Sequence, residues 1–124
     1  MTRSILVVDD DPDSLQMLTL ILQNDGHEVI TATNGMEAFN LACEHLPFLI
    51  LLDLMMPIMS GEEFRNAQLA NAIIKHIPVV VLSAHHDAPC IARRMKAVSC
   101  LRKPLDLDAV LSVCARTMIS MVPE

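Results

Sequence analysis

Residues 48–61, FLILLDLMMPIMSG, begin with five consecutive apolar residues that end in a single carboxylate, Asp53. An uninterrupted apolar run of this length is typical of a strand that is buried on both faces of a parallel sheet. Asp53 then lies at the carboxyl end of that strand, the edge at which open parallel sheets bind ligands. Taken alone, Asp53 is also compatible with a structural role at the start of the following turn. Its function therefore depends on what stands at the ends of the other strands.

The rest of the chain alternates between short strands and helices. Further strands are predicted over residues 4–8, 28–32, 79–82 and 99–102. The predicted helices cover residues 12–25, 36–45, 61–75, 88–97 and 106–120. Asp11, followed by Pro12, is the expected N-cap of the first helix, and Asp106 is the expected N-cap of the last.

The third predicted helix is amphipathic. Its expected buried side comprises Phe64, Ala67, Leu69, Ala72 and Ile73. Its charged residues Glu62, Glu63 and Arg65 are expected to face water.

This alternation predicts a doubly wound α/β fold, a five-stranded parallel sheet with helices on both faces. The expected strand order is 2-1-3-4-5, which makes the first and third strands neighbours. Asp9 and Asp10, which follow the first strand, then converge with Asp53, and Ser83 and Lys103 stand at the ends of the fourth and fifth strands. The second strand, at the sheet edge, ends in no polar residue.

Length and charge narrow the class of protein. With 124 residues, the chain is expected to form a single domain over residues 1–124. A formal charge of -6, with Arg93-Arg94 as the longest basic run, argues against a nucleic-acid surface. No stretch is long and apolar enough for a membrane span, and no signal-peptide core follows Met1, so a cytoplasmic location is expected.

The cysteine and histidine residues show no metal-binding pattern. Cys43, Cys90, Cys100 and Cys114 lack CxxC spacing and are expected to be reduced and mostly buried. The adjacent pair His85-His86 is expected to carry side chains that diverge, so that they do not share a metal.

Three carboxylates at one sheet edge need a cation. Each pair repels by roughly 1 kcal/mol in water and by ~4 kcal/mol at an effective dielectric constant near 20. Oxygen ligands without His or Cys favour a hard ion, and Mg²⁺ is the natural candidate. A carboxylate facing Mg²⁺ can attack a phosphoryl group, with Lys103 neutralising phosphoryl oxygens and the Ser83 hydroxyl donating a hydrogen bond.

Four motifs together resemble those of response-regulator receiver domains over essentially the whole chain: ILVVDDDP, LLDLMMPIMSG, VVVLSA and LRKP. The strand order is known for such domains, so the fold expectation rests partly on this resemblance. The resemblance implies that Asp53 is the phosphoacceptor and that Asp9, Asp10 and Asp53 hold Mg²⁺, with the backbone carbonyl of Met55 as a further ligand.

The resemblance also implies roles for the residues at the far side of the site. Ser83 is the hydroxyl that responds to phosphorylation, Lys103 is the phosphate partner, and the Lys103-Pro104 peptide bond is expected to be cis. Implied partners are a sensor histidine kinase or histidine phosphotransfer protein upstream, and a partner protein or an output domain of a longer chain downstream. Catalysis is limited to the chain's own phosphorylation and slow hydrolysis, so no separate substrate is expected.

Three positions depart from the family pattern. Cys100 stands where an aromatic ring usually turns inward, and the segment from His85 to Ser99 carries Pro89 and lacks the usual Gly after a longer helix. The two side chains that flank the phosphate and position hydrolytic water in the family correspond to Met55 and His85. Met55 cannot orient a water, which leaves His85 as the one candidate for that role, and slow self-dephosphorylation is predicted.

Two alternatives remain open from the sequence. An aspartate-nucleophile phosphatase of the haloacid-dehalogenase type needs a second Asp two residues after the nucleophile, where this chain has Met55. A degenerate receiver that serves only as a protein-binding module fits Cys100 but leaves the complete acidic set unexplained.

Overall fold

The fold follows the predicted alternation of strands and helices. A computed structural model describes residues 4–120. The strands are β1 (Ser4–Val8), β2 (Glu28–Ala32), β3 (Leu49–Asp53), β4 (Val79–Ser83) and β5 (Ser99–Arg102). The helices are α1 (Pro12–Asn24), α2 (Gly35–His45), α3 (Gly61–Leu69), α4 (Ala88–Arg94) and α5 (Leu107–Ser120). All strand pairs are parallel and the order is β2-β1-β3-β4-β5, which confirms the predicted topology.

The sheet separates two apolar layers. Every residue of β3 is buried, as its uninterrupted apolar run predicted. Because side chains alternate along a strand, Ile50 and Leu52 pack in one layer with α2, α3 and α4, whereas Leu49 and Leu51 pack in the other with α1 and α5. The carboxyl ends of the three central strands are thereby held rigidly side by side. Among the described residues, no helix is long and apolar enough to cross a membrane.

Side-chain caps fix the starts of several helices. Asp11 caps α1 as predicted, because its carboxylate accepts a hydrogen bond from the Asp13 N–H at 3.1 Å. Asp106 likewise accepts bonds from the first turn of α5. Ser60 and Glu63 form a reciprocal capping box at the start of α3. The helix that follows the Asp53 strand therefore begins at a defined point.

Helix α3 is shorter than predicted, because it ends at Leu69 and not near Lys75. The Asn71 side-chain oxygen accepts hydrogen bonds from the backbone N–H groups of Ile73 (2.8 Å) and Ile74 (3.3 Å). Local bonds of this kind offer the backbone an alternative to helix. Ile74 is consequently buried, while Ile73 is 59% exposed.

The buried side of α3 also differs from the prediction. Phe64 is fully buried as expected, but Arg65, which was predicted to face water, is only 6% exposed, and Gln68 is completely buried. The predicted buried residues that are instead exposed are Leu69, Ala72 and Ile73. Long polar side chains are tolerated in a core when each of their polar groups finds a partner.

The cysteines are free thiols, but the expectation that most are buried is wrong. Cys114 alone of the four is fully buried, Cys43 and Cys100 are half-buried, and Cys90 is exposed on α4. Burial, with the charge of Asp25, raises the pKa of Cys114 to about 12, so this thiol stays protonated.

Helix α4 ends at Arg94, short of the predicted residue 97, and Lys96 then adopts a left-handed conformation with φ of 58°. A non-glycine residue in this region costs roughly 1–2 kcal/mol. Glycine removes this cost, but part of the gain is offset because glycine loses more conformational entropy on folding. We expect Lys96→Gly to raise the free energy of unfolding by about 0.5–1 kcal/mol in urea denaturation. Lys96→Ala retains the Cβ and should give no such gain. Equal gains from both variants would contradict a backbone origin.

Candidate functional site at the carboxyl edge of the sheet

The strand ends bring four of the predicted site residues together. Asp9 follows β1, and its backbone N–H donates to Ala32 O at 3.1 Å. Asp53 ends the neighbouring strand β3, and Ser83 ends β4. Lys103 follows β5, where its backbone N–H donates to Ser83 O at 3.0 Å. The topology places these side chains along one edge of the sheet, as predicted.

The Lys103 ammonium bridges two carboxylates. Its Nζ lies 2.8 Å from Asp9 Oδ2 and 3.2 Å from Asp53 Oδ2. Asp9 is fully buried and Asp53 is 5% exposed, so these contacts are largely shielded from water. The sequence predicted Lys103 as a phosphate partner but not its shorter contact with Asp9, which depends on residues 94 positions apart.

Asp10 completes an acidic cluster with Asp9 and Asp53. One carboxylate oxygen from each of the three residues lies within 4.8 Å of the other two. Asp10 is exposed, in contrast to the other two. A cavity of about 500 Å³ opens over this cluster, lined by Asp10, Asp53, Met55, Ser83, Ala84, His85 and Lys103. The cluster is therefore reachable from solvent.

Backbone N–H groups orient the two buried carboxylates. Met55 N–H donates to Asp53 Oδ1 at 3.2 Å, and Asp11 N–H donates to Asp9 Oδ1 at 3.0 Å. In both residues Oδ2 faces Lys103. The Met55 side chain is 66% exposed at the cavity rim.

Burial and charge shift the titration of the site. Burial, together with the negative charge of Asp9, raises the pKa of Asp53 to about 6, although the Met55 N–H and Lys103 act in the opposite direction. For Lys103, burial lowers the pKa, but hydrogen bonds and charge from Asp9 and Asp53 outweigh burial and raise it. The ammonium is therefore charged at neutral pH, while burial is the main factor that opposes ionisation of Asp53.

Ser83 lies in the same cavity but is not bonded to the carboxylates. Its Oγ accepts a hydrogen bond from the His85 N–H at 3.0 Å, and only 1% of the residue is exposed. The loop that begins α4 is thus tied directly to this hydroxyl. Any movement of Ser83 Oγ changes the anchoring of that loop.

His85 and His86 do not diverge, contrary to the expectation. Their rings stack with centroids 4.7 Å apart and planes inclined by 16°. One ligand atom from each of His85, His86 and Asp87 lies within 4.8 Å of the other two. A metal lies close to the plane of each imidazole that binds it, and two nearly parallel planes do not meet at one ion. The observed ring orientations therefore do not form a chelate.

The acidic cluster fits a hard divalent cation. Its donors are carboxylate oxygens only, which suit Mg²⁺ better than softer metals. Three anionic groups within 4.8 Å are opposed by a single ammonium, so the cluster carries excess negative charge that a cation would neutralise. The exposed Asp10 leaves one side of the cluster open to water, which Mg²⁺ retains when bound.

The Lys103-Pro104 peptide bond is cis, as the resemblance implied. A doubly wound sheet in this order, with three aspartates and a lysine at its switch point, defines the class of receiver-like α/β proteins. The chain belongs to the response regulator receiver domain family, whose model matches residues 5–115. It is accordingly a receiver domain of two-component signalling.

Individual relatives support this assignment. The polar-differentiation response regulator DivK of Brucella ovis is 34% identical over 84 residues, which are 68% of this chain and 68% of that protein. The chemotaxis protein CheY4 of Vibrio cholerae is 29% identical, with a TM-score of 0.85 over 94% of this chain and 99% of the other. A receiver domain from Clostridium thermocellum is 27% identical, with a TM-score of 0.85 over 97% and 96%.

Proposed function

We propose that the chain accepts a phosphoryl group on Asp53 and changes conformation in response. The observation that carries this proposal is the Lys103 ammonium between the carboxylates of Asp9 and Asp53, within an acidic cluster open to solvent. The family membership supports it. The partners we propose are a histidine kinase or a histidine phosphotransfer protein upstream and a protein partner or output domain downstream. We also propose that residues 1–124 form one cytoplasmic domain.

The proposed transfer joins Asp53 to the phosphorus of a phosphohistidine. An Asp53 carboxylate oxygen attacks phosphorus, the phosphorus–nitrogen bond breaks, and its electron pair returns to the imidazole nitrogen, which takes up a proton. The product is an aspartyl phosphate. Lys103 moves from its carboxylate contacts to the phosphoryl oxygens, where a cation stabilises the transition state.

Mg²⁺ would be held by Asp9, Asp10 and Asp53, with the Met55 backbone carbonyl as a further ligand. When bound, the ion supplies positive charge that offsets the charge of the incoming phosphoryl group. The Asp53 carboxylate is kept in position for attack by the Met55 N–H, which occupies Oδ1.

Ser83 is the proposed switch residue. Its hydroxyl accepts the His85 N–H in the structure and has its own proton free to donate to a phosphoryl oxygen. Turning toward a phosphorylated Asp53 would weaken the bond with His85 and release the start of the loop before α4. Phosphorylation is thereby converted into a change of surface.

A second candidate is a receiver that binds partners without phosphorylation. Cys100 favours it, because a half-buried thiol on β5 cannot perform the ring movement usual at that position. The intact cluster of Asp9, Asp53 and Lys103 favours phosphotransfer, since a binding module has no need of buried, mutually repelling carboxylates.

A thermal melt distinguishes the two. The chain and Asp53→Asn are melted with and without Mg²⁺ and beryllofluoride, which mimics a phosphoryl group on a carboxylate. We expect beryllofluoride to raise the melting temperature of the parent above its value with Mg²⁺ alone, and to add nothing to that of Asp53→Asn. No response in the parent would contradict phosphotransfer and leave the binding module.

The phosphorylated chain is expected to lose its phosphoryl group slowly. Met55 at the cavity rim offers no hydrogen bond to orient a hydrolytic water. The lifetime of the aspartyl phosphate is measured by intact mass after removal of the phosphoryl donor. Met55→Asn, which supplies an amide at the same place, should shorten it. A lifetime of seconds in the parent would contradict the prediction.

A further inference from the structure

Arg65 reaches from α3 to the end of α4. Its Nε donates to Met95 O at 2.8 Å, and its Nη2 donates to Lys96 O at 3.0 Å. Its Nη1 donates to Gln68 Oε1 at 2.7 Å. The planar guanidinium is thus held by three acceptors, and its 6% exposure shields these charge-assisted bonds from water.

Gln68 extends the same connection toward β4. Its Nε2 donates to Ile74 O and Ile77 O, both at 2.9 Å. The Gln68 side chain is fully buried, and both ends of its amide are bonded. A buried polar network in which each group is satisfied holds its parts in one arrangement.

Helix α4 is held by the apolar packing of Ala88, Ala92 and Met95, and Arg65 supplies the polar bonds at its end. The helix has seven residues, and Asp87 makes no side-chain cap bond at its start. Helices of this length are not stable in isolation, so the position of α4 depends on its contacts. Glu62 and Arg94 form an ion pair between α3 and α4 at 3.5 Å, but both side chains are about half exposed or more, and such pairs contribute little.

The other end of α3 lies directly against the Asp53 strand. Gly61 N–H donates to Leu54 O at 3.1 Å. A Cβ atom at Gly61 would lie 2.6 Å from Asp53 O, so only glycine allows this approach. The nine-residue α3 therefore touches the backbone of Asp53 at its start and holds the end of α4 through Arg65.

We propose that Arg65 and Gln68 form a coupling clamp through which α3 transmits the state of Asp53 to α4. The clamp provides a route that does not require an aromatic ring at residue 100. This inference rests on the proposed function, because the change at Asp53 that it transmits is phosphorylation. The clamp holds α4 in the unphosphorylated form, and a shift of α3 moves the carbonyl groups that Arg65 holds.

Amide hydrogen exchange of residues 88–98 tests the clamp. It is measured for the parent, Arg65→Met and the control Arg93→Met, each with and without Mg²⁺ and beryllofluoride. Arg93→Met removes an exposed arginine from α4 itself. We expect Arg65→Met to speed exchange in the unliganded protein by about 10-fold, because two carbonyl groups lose their charged donor. We also expect it to abolish the ligand-dependent change that the parent and Arg93→Met show.

The outcomes separate the clamp from the proposed function. The melting shift that beryllofluoride adds to that of Mg²⁺ alone reports occupancy of the Asp53 carboxylate. A melting shift without any change of exchange over α4 in the parent would overturn the clamp and leave the proposed function intact. An unchanged α4 response in Arg65→Met would do the same.

Arg65→Lys is the second variant if Arg65→Met does not fold. Lysine keeps the charge but lacks the planar fork, so it cannot bond Met95 O, Lys96 O and Gln68 together. We expect the ligand-dependent change over α4 to fall well below that of the parent, with the melting shift retained. A full response in Arg65→Lys would overturn the proposal.

Discussion

Asp53→Asn is expected to abolish phosphoryl uptake. With Mg²⁺ and acetyl phosphate as donor, the parent should gain the mass of one phosphoryl group, and the variant should gain none. The amide lacks the anionic oxygen that attacks phosphorus, so we expect a loss of at least about 100-fold in the rate of incorporation. The measurement is intact-protein mass spectrometry over time.

Asp108→Asn provides the matched control. Asp108 lies in the first turn of α5 and is exposed, and its replacement makes the same chemical change away from the acidic cluster. We expect uptake at the parental rate. Residual uptake by Asp53→Asn at that rate would place the acceptor on another residue, of which Asp10 is the exposed carboxylate in the same cavity.

The sequence was sufficient to predict the topology and the strand ends. The uninterrupted run before Asp53 indicates a strand buried on both faces, and the order β2-β1-β3-β4-β5 then brings Asp9 beside Asp53. The buried strand and the strand ends are inferred from local patterns, namely apolar runs and the residue types that follow them, whereas the strand order also rests on the resemblance to receiver domains. Such patterns are predictive because a buried strand requires apolar residues at these positions.

The clamp on α4 could not be predicted in this way. Arg65 on an amphipathic helix is normally a solvated residue, and its burial depends on the carbonyl groups of Met95 and Lys96, 30 and 31 residues away. The contact of Lys103 with Asp9 is likewise a product of the assembled sheet. Stacking of His85 on His86 depends on a loop conformation that their sequence does not specify.

Asp53 is expected to destabilise the metal-free protein above about pH 6. In the unfolded chain the carboxyl loses its proton near its ordinary pKa of 3.8, whereas in the folded protein its pKa is about 6. Between these values the folded state binds more protons, so the free energy of unfolding falls as pH rises and stays lower above the folded pKa. A shift of this size corresponds to about 3 kcal/mol at most, and solvent reaching the cavity reduces it to roughly 1–2 kcal/mol.

Asp53→Asn should therefore be the more stable protein at about pH 8 with a chelator present, by roughly 1–2 kcal/mol, and the difference should vanish near pH 4. Urea unfolding across this range measures it, with Asp108→Asn as the exposed control. Mg²⁺ should reduce or reverse this difference in the free energy of unfolding, because it binds the folded parent more tightly than a variant that lacks one carboxylate. At one hundred times its dissociation constant, Mg²⁺ adds about 2.7 kcal/mol to the stability of the parent. A parent that stays more stable than Asp53→Asn at high pH without metal would contradict the raised pKa. A pH-dependent difference in stability without any effect of Mg²⁺ would instead support the raised pKa of Asp53 and argue against the metal site.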